Sequence, residues 1–213
     1  MSSYYLWLGL FLLGCYHGVN PGMGWLFAVA LGLQERRTVA VVRAVVPLTL
    51  GHLVSIAIVV LIAVFAAAEL PHRVVHGAAA AILLSFGVYR LVRVRHPRWV
   101  GMRVGFWGLA LWGFLMSTAH GAGLMLVPFV TGTPAVMQHA QPMPMPASGV
   151  PGQYAIGVAM VSVHTLGYLV TMLTVALIVY TRVGVSFLRT GWFNVDAVWA
   201  IALLVTGVIA ALT

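Results

Sequence analysis

Four histidines carry the chemistry that this sequence offers. His17, His52, His120 and His164 each stand well inside a long apolar run. Neutral imidazole is the commonest protein ligand for divalent transition metals, and an ionisable side chain at such depth is costly in lipid unless it faces the protein interior and serves a purpose there. Such a set, or a smaller one assisted by Asn20 or Asp196, would hold nickel, cobalt, zinc or copper. Asp196 is the one carboxylate expected at or within the apolar region, and Tyr168 is expected to support a ligand by hydrogen bonding. His72, His76, His96 and His139 read instead as solvent-exposed or bonded to a neighbouring carbonyl.

The elements that position these histidines are duplicated. Thr49-Leu50-Gly51-His52-Leu53-Val54-Ser55-Ile56 returns as Thr165-Leu166-Gly167-Tyr168-Leu169-Val170-Thr171-Met172, so Tyr168 stands where the first copy has His52. Ahead of the octets, Phe11-Leu12-Leu13-Gly14-Cys15-Tyr16-His17-Gly18 matches Phe114-Leu115-Met116-Ser117-Thr118-Ala119-His120-Gly121. A weaker third match lays His76–Val88 over Asp196–Val208. Internal repetition of this kind describes one duplicated unit. The first repeat covers about 4–93 and the second about 104–213 of a single membrane domain spanning 1–213.

Composition sets the class. With 62% apolar and 7% charged residues over 213 positions, and a mean hydropathy of +1.04, the chain reads as an all-α polytopic membrane protein rather than a soluble globule. Runs long enough for a span of roughly 20 residues begin near residues 4, 41, 73, 104, 153 and 194. The net charge of +8 would suggest nucleic acid in a soluble domain, but its placement points to topology. All eleven basic residues are Arg. Arg36, Arg37, Arg43, Arg90, Arg93, Arg95, Arg98, Arg103, Arg182 and Arg189 fall on one side of six spans, against Arg73 alone on the other. The positive-inside rule then places both termini outside. Three spans per repeat make the second copy inverted relative to the first, an arrangement found in transporters whose site lies near the bilayer midplane.

Two of the six helices are expected to break. Span one meets Gly18, Asn20, Pro21 and Gly22 just after His17, and span four meets Gly121 and Gly123 just after His120. Proline and glycine free backbone carbonyls, which a bilayer tolerates only where protein or a wet cavity satisfies them. Pro47, one turn before Gly51-His52, predicts a similarly weakened helix. Gly14, Gly18 and Gly22 at four-residue spacing predict close helix packing. The outside loop, about 131–152, is rich in Pro and carries Met137, His139, Met143 and Met145, thioether and imidazole groups that suit external capture of soft copper. Cys15 is the single cysteine and cannot form an internal disulfide. Leu12-Leu13-Gly14-Cys15 is not expected to be a lipoprotein cleavage site, because no basic residue precedes the apolar run.

The sequence His17-Gly18-Val19-Asn20-Pro21-Gly22-Met23, the Gly51-His52 pair and the three-plus-three organisation together resemble the LysE-like superfamily of membrane transporters, nearest to its nickel/cobalt transporters and the HupE/UreJ proteins. The resemblance covers the whole chain in architecture and about three short motifs in sequence. It implies a permease with its ion site among the inward-facing histidines. Where those transporters carry an acidic residue and a further histidine, this chain has Asn20 and Met23, which shifts the expected cargo toward a softer metal. A looser likeness to DsbD-type thiol relays fails on the lone Cys15, since a relay needs a cysteine pair.

The expected function is therefore a membrane permease for a transition-metal ion, with copper or nickel/cobalt favoured, bound by His17, His52, His120 and His164 at the repeat interface. The expected setting is a bacterial inner membrane, with lipid and the metal ion as partners and no nucleic acid. Assembly as a homo-oligomer or with a partner subunit stays open. The alternatives are a histidine-ligated metalloenzyme or b-haem redox protein in the membrane, a permease for an organic or sulfur-containing solute, and a packing subunit of a larger complex.

Overall fold

A computed structural model describes residues 3–92, 104–131, 150–183 and 195–212. The described residues form an all-helical structure without strands. In chain order these are α1 (Ser3–Val19), a 3-10 turn (Pro21–Met23), α2 (Trp25–Glu35), α3 (Thr38–Glu69), α4 (His72–Val92), α5 (Phe106–Ala119), α6 (Ala122–Thr131), α7 (Val150–Ile178) continued by a π-helical turn (Val179–Val183), and α8 (Val195–Leu212). Thr38–Glu69 and Ala155–Arg182 are each long and apolar enough to cross a membrane. The bent pair Phe106–Ala119 and Ala122–Val130 makes a third candidate if counted as one span.

Six apolar runs thus yield two to three candidate spans among the described residues. The first run is cut at Asn20-Pro21-Gly22 into α1 and α2, each shorter than a bilayer is thick. The third and sixth runs form helices of 21 and 18 residues, and their Arg73–Tyr89 and Ala200–Leu212 segments rank as shorter apolar helices.

Both predicted breaks are present, and each has a local cause. In the first, Asn20 caps the 3-10 turn by accepting the Gly22 amide at 2.9 Å through Oδ1, and Gly24 takes φ 115°, a left-handed conformation that glycine adopts without steric cost. The carbonyls freed there are satisfied inside the protein. Trp25 Nε1 donates to Val19 O at 2.9 Å, Trp112 Nε1 to Gly22 O at 3.0 Å and the Tyr168 hydroxyl to Met23 O at 3.2 Å. In the second break, Gly121 has φ 68° and the chain turns by 58° between α5 and α6.

Pro47 does not break its helix. α3 runs unbroken from Thr38 to Glu69 with Pro47 buried inside it, so the weakness expected beside His52 is absent. A proline costs one hydrogen bond in a long helix, and here α3 is held by α5, α6 and α7 along its length.

The principal helix partnerships cross between the sequence copies. α1 packs chiefly on α7, α3 on α5, and α4 on α8. Small residues set the closest approaches. Gly14 lies against the His164 carbonyl and Gly113 against the Leu48 carbonyl, while Gly51 meets the backbone of Ala110 and Phe114 and Gly167 that of Phe11 and Cys15. No side chain could be inserted at these four points without separating the helices. Away from these contacts, Val42, Val46, Leu50, Val54, Ile58, Leu61, Ile62 and Phe65 leave one side of α3 apolar and exposed.

Candidate functional site

His17, His52 and His164 meet where α1, α3 and α7 come together. The ring centroids of His17 and His164 are 4.9 Å apart, those of His52 and His164 5.6 Å, and those of His17 and His52 5.8 Å. All three side chains are 0% exposed. The glycine contacts explain the meeting: Gly14 draws the α7 backbone at His164 against α1 one turn before His17, and Gly18 does the same at Tyr168 and Met172.

The polar accounting within the cluster is uneven. His17 donates from Nδ1 to the Leu13 carbonyl at 2.8 Å, one turn back on its own helix. That fixes the tautomer with the lone pair on Nε2, the arrangement by which metal-ligating histidines are commonly oriented. His120 does the same, with Nδ1 on the Met116 carbonyl at 2.7 Å. Both ring nitrogens of His52 and both of His164 lack a hydrogen-bond partner. The Leu10 carbonyl approaches the His164 ring closely enough to interact, without making a hydrogen bond to it. Leaving a buried polar group unmatched costs about 1–3 kcal/mol, so the imidazoles of His52 and His164 are held here at a loss.

Tyr168 completes the cluster in a way that sequence reasoning reached only in part. It was expected to hydrogen-bond a ligand; instead its ring lies flat on His52, with centroids 3.8 Å apart and planes 9° from parallel, and its hydroxyl reaches the Met23 carbonyl in the first break. It therefore ties the orientation of His52 to the broken helix. Asn20 is buried and turned to the Gly22 amide. His120 is buried beside the same break, because a Cβ placed on Gly22 would stand 3.2 Å from Asn20 Oδ1 and 3.6 Å from His120 Nε2.

His120 is set by a different register from His17. The α5 backbone that Gly51 touches lies six to ten residues before His120, whereas the α1 backbone that Gly167 touches lies two to six before His17. The helix crossings therefore repeat with a slip of one turn relative to the His-Gly motifs, a shift of about 6 Å along the axis. Nothing in the matched octapeptides themselves signals the slip; the larger separation of Gly113 from His120 than of Gly14 from His17 does. Asp196 lies in the first turn of α8, and its side chain is outside the described residues. Met137, His139, Met143 and Met145 also lie outside the described residues.

The spacing of the trio can be compared with coordination geometry. An imidazole nitrogen ligates zinc at about 2.0–2.1 Å, so a ring centroid stands about 3 Å from the ion and three ligands around one ion hold their centroids about 5–5.5 Å apart. The observed separations fall around that range. Among the described residues no three His, Cys, Asp or Glu side chains already converge as a ligand set. His52, flat against Tyr168 and within 13° of parallel to His164, would have to rotate for its lone pair to meet the others.

The histidine layer is closed on both sides. On α3, Leu48 precedes His52 by one turn and Ile56 follows it by one turn; on α7, Met160 and Tyr168 bracket His164 in the same way. Leu48 and Tyr168 belong to one apolar cluster with Met23, Met125 and Met172. Ile56 and Met160 belong to another with Leu10 and Leu126.

Comparison with protein-family models, with curated proteins and with solved structures finds no match to this chain.

Proposed function

We propose that this chain is an integral membrane permease for a transition-metal ion, which binds at the layer formed by His17, His52 and His164. The observation that carries the reading is the meeting of three fully buried imidazoles at ion-sharing separations, two of them without hydrogen-bond partners. Buried polar groups are ordinarily paired, and an ion that transiently accepts their lone pairs gives the unpaired nitrogens a purpose.

The exchanged helix partnerships support six spans arranged as two inverted three-helix repeats, of the kind seen in the LysE-like superfamily. Each first helix packs on the other copy's second helix, and the two third helices pair, as a two-fold axis in the membrane plane would require. The Arg distribution supports both termini outside a cytoplasmic membrane. In that orientation the cluster around Leu10, Ile56 and Met160 seals the ion layer from outside, and the cluster around Met23, Leu48 and Tyr168 seals it from the cytoplasm. Access alternates when one cluster opens while the other stays closed. The bends at Gly24 and Gly121 are the backbone points best suited to that motion. His120, beside the first break, serves as a second stop for the ion. Met137, His139, Met143 and Met145 would capture it outside.

Ligation of a b-type haem requires two imidazoles facing one another across a plate. Three rings within 6 Å of each other suit one small ion better. The test is uptake of metal into proteoliposomes containing an entrapped chelating dye. Replacement of His17, His52 or His164 by Leu is expected to lower the rate roughly tenfold or more. Unchanged uptake in all three variants would overturn the reading, and a visible absorption band lost with the same histidines would replace it with a haem protein.

A further inference from the structure

From the charge of the pocket we infer that the cargo is a monovalent soft cation, Cu(I), rather than a divalent ion. This rests on the reading of the histidine layer as a metal site. Among the described side chains, the buried polar ones are imidazoles, an amide and hydroxyls, with no carboxylate: His17, Asn20, His52, Ser55, His76, Ser117, His120, His164 and Thr165. Glu35 and Glu69 are exposed, at the C-terminal ends of α2 and α3. An ion entering the trio therefore meets lone pairs and, among the described side chains, no compensating anion.

The cost of moving an ion from water into a low-dielectric interior rises with the square of its charge, so a dication carries about four times the penalty of a monocation of the same size. Neutral imidazoles serve divalent zinc in wet sites, where the metal's own hydroxide supplies the missing charge. The three ligand side chains here are 0% exposed and lie between two apolar clusters, where a retained hydroxide would itself be desolvated.

The neighbouring donors agree with a soft ion. Met23, Met125 and Met172 are each 0% exposed and pack in the same cluster as Tyr168, while Met160 flanks His164 on the other side. Thioether is the donor that selects Cu(I) over hard or borderline dications, and these methionines border the imidazole layer on both sides. Three imidazoles suffice for an ion content with few ligands, and thioethers belong to both apolar clusters that flank them.

The experiment uses the full chain in lipid nanodiscs, with Cu(I) held reduced under anaerobic ascorbate and Ag(I) as a monovalent surrogate that does not change oxidation state. Affinities for Cu(I), Ag(I), Zn(II) and Ni(II) are measured by competition against chelators of known strength, in the native chain, in His52→Leu/His164→Leu and in Asp196→Asn. The expected result is one Cu(I) or Ag(I) per chain, bound roughly a hundredfold or more tighter than either dication. That binding should be lost in the double histidine variant and retained in Asp196→Asn. Equal or tighter binding of Zn(II) or Ni(II), or loss of Cu(I) binding in Asp196→Asn, would overturn the monovalent inference while leaving a metal site in place. Failure of any metal to bind in a histidine-dependent way would overturn both.

Discussion

His52→Leu separates a ligand from a packing residue, because the two roles predict opposite signs for stability. His52 is fully buried and neither of its nitrogens has a partner. Removing two unmatched polar groups returns about 2–6 kcal/mol at about 1–3 kcal/mol each. Against this, the flat contact with Tyr168 at 3.8 Å is lost, at about 1 kcal/mol, and a leucine of similar volume fits imperfectly, at about 1 kcal/mol. The balance is a metal-free protein more stable by about 2 kcal/mol at the centre of that range, which for a chain of this size raises the unfolding midpoint by about 4–8 °C. The native chain should respond to metal in the opposite way. At a hundredfold excess over its dissociation constant a ligand adds about 2.7 kcal/mol, and His52→Leu should show no such increment. The assay is thermal unfolding in nanodiscs, with a chelator and then with saturating metal, beside uptake in proteoliposomes. A variant that is less stable than the native chain without metal, yet still transports, would mean that His52 is satisfied in the resting protein and is not held for an ion.

Three further outcomes follow from the same geometry. Uptake should be lost at the most acid pH at which the protein stays folded, because protons compete with the ion for the same lone pairs; a transport rate unchanged there from its value at neutral pH would contradict this. Gly51→Val would drive a side chain into the backbone of Ala110 and Phe114, neither of which can move without parting α3 from α5, so a loss of about 3 kcal/mol or more should appear as failure to accumulate folded protein, with Gly167→Val its counterpart at α1. Tyr168→Phe keeps the ring against His52 but removes the bond to Met23 O at 3.2 Å, so it should cost about 1 kcal/mol in unfolding measurements and lower uptake several-fold while leaving metal affinity within a factor of about three.

Much of this arrangement was legible in the sequence, and the exceptions have identifiable causes. The breaks were readable because Asn20-Pro21-Gly22 and Gly121 act locally, through a missing amide and a φ that only glycine takes freely. Pro47 carries the same local signal, and there it misled: α3 is gripped by three neighbours, and tertiary packing outweighs one lost hydrogen bond. A meeting of His17, His52, His120 and His164 was anticipated from the duplication, and three of the four meet. The offset position of His120 was not, because motif matching aligns residues along the chain while glycine contacts decide where helices cross. The hydroxyl pair Ser55 and Thr118, joined at 2.9 Å between α3 and α5, was equally hidden. Ser55 follows His52 by three residues, a spacing that puts both on nearly one helix face, but a partner on a distant helix leaves no trace in that spacing.

The duplication also fixes how the two halves of the layer differ. Matched through the repeats, His17 corresponds to His120, His52 to Tyr168 and His164 to Leu48. The packing agrees for the last pair, since Gly14 receives the His164 carbonyl as Gly113 receives the Leu48 carbonyl. Because the crossings slip by one turn, Met116 rather than His120 stands at the place of His17, so the counterpart of the imidazole trio is one thioether, one phenol and one leucine. Two of those three, Tyr168 and Leu48, lie in the apolar cluster that closes the layer on one side. On the proposed reading, one of the two matched positions holds the ligands and the other closes the layer. On that reading an ion at His17, His52 and His164 would lie beside the Tyr168 ring, which is stacked flat on His52. Withdrawal of Tyr168 from Met23 O would loosen the seal and free His52 to turn in the same movement, so that opening the pathway and remodelling the site are one event rather than two.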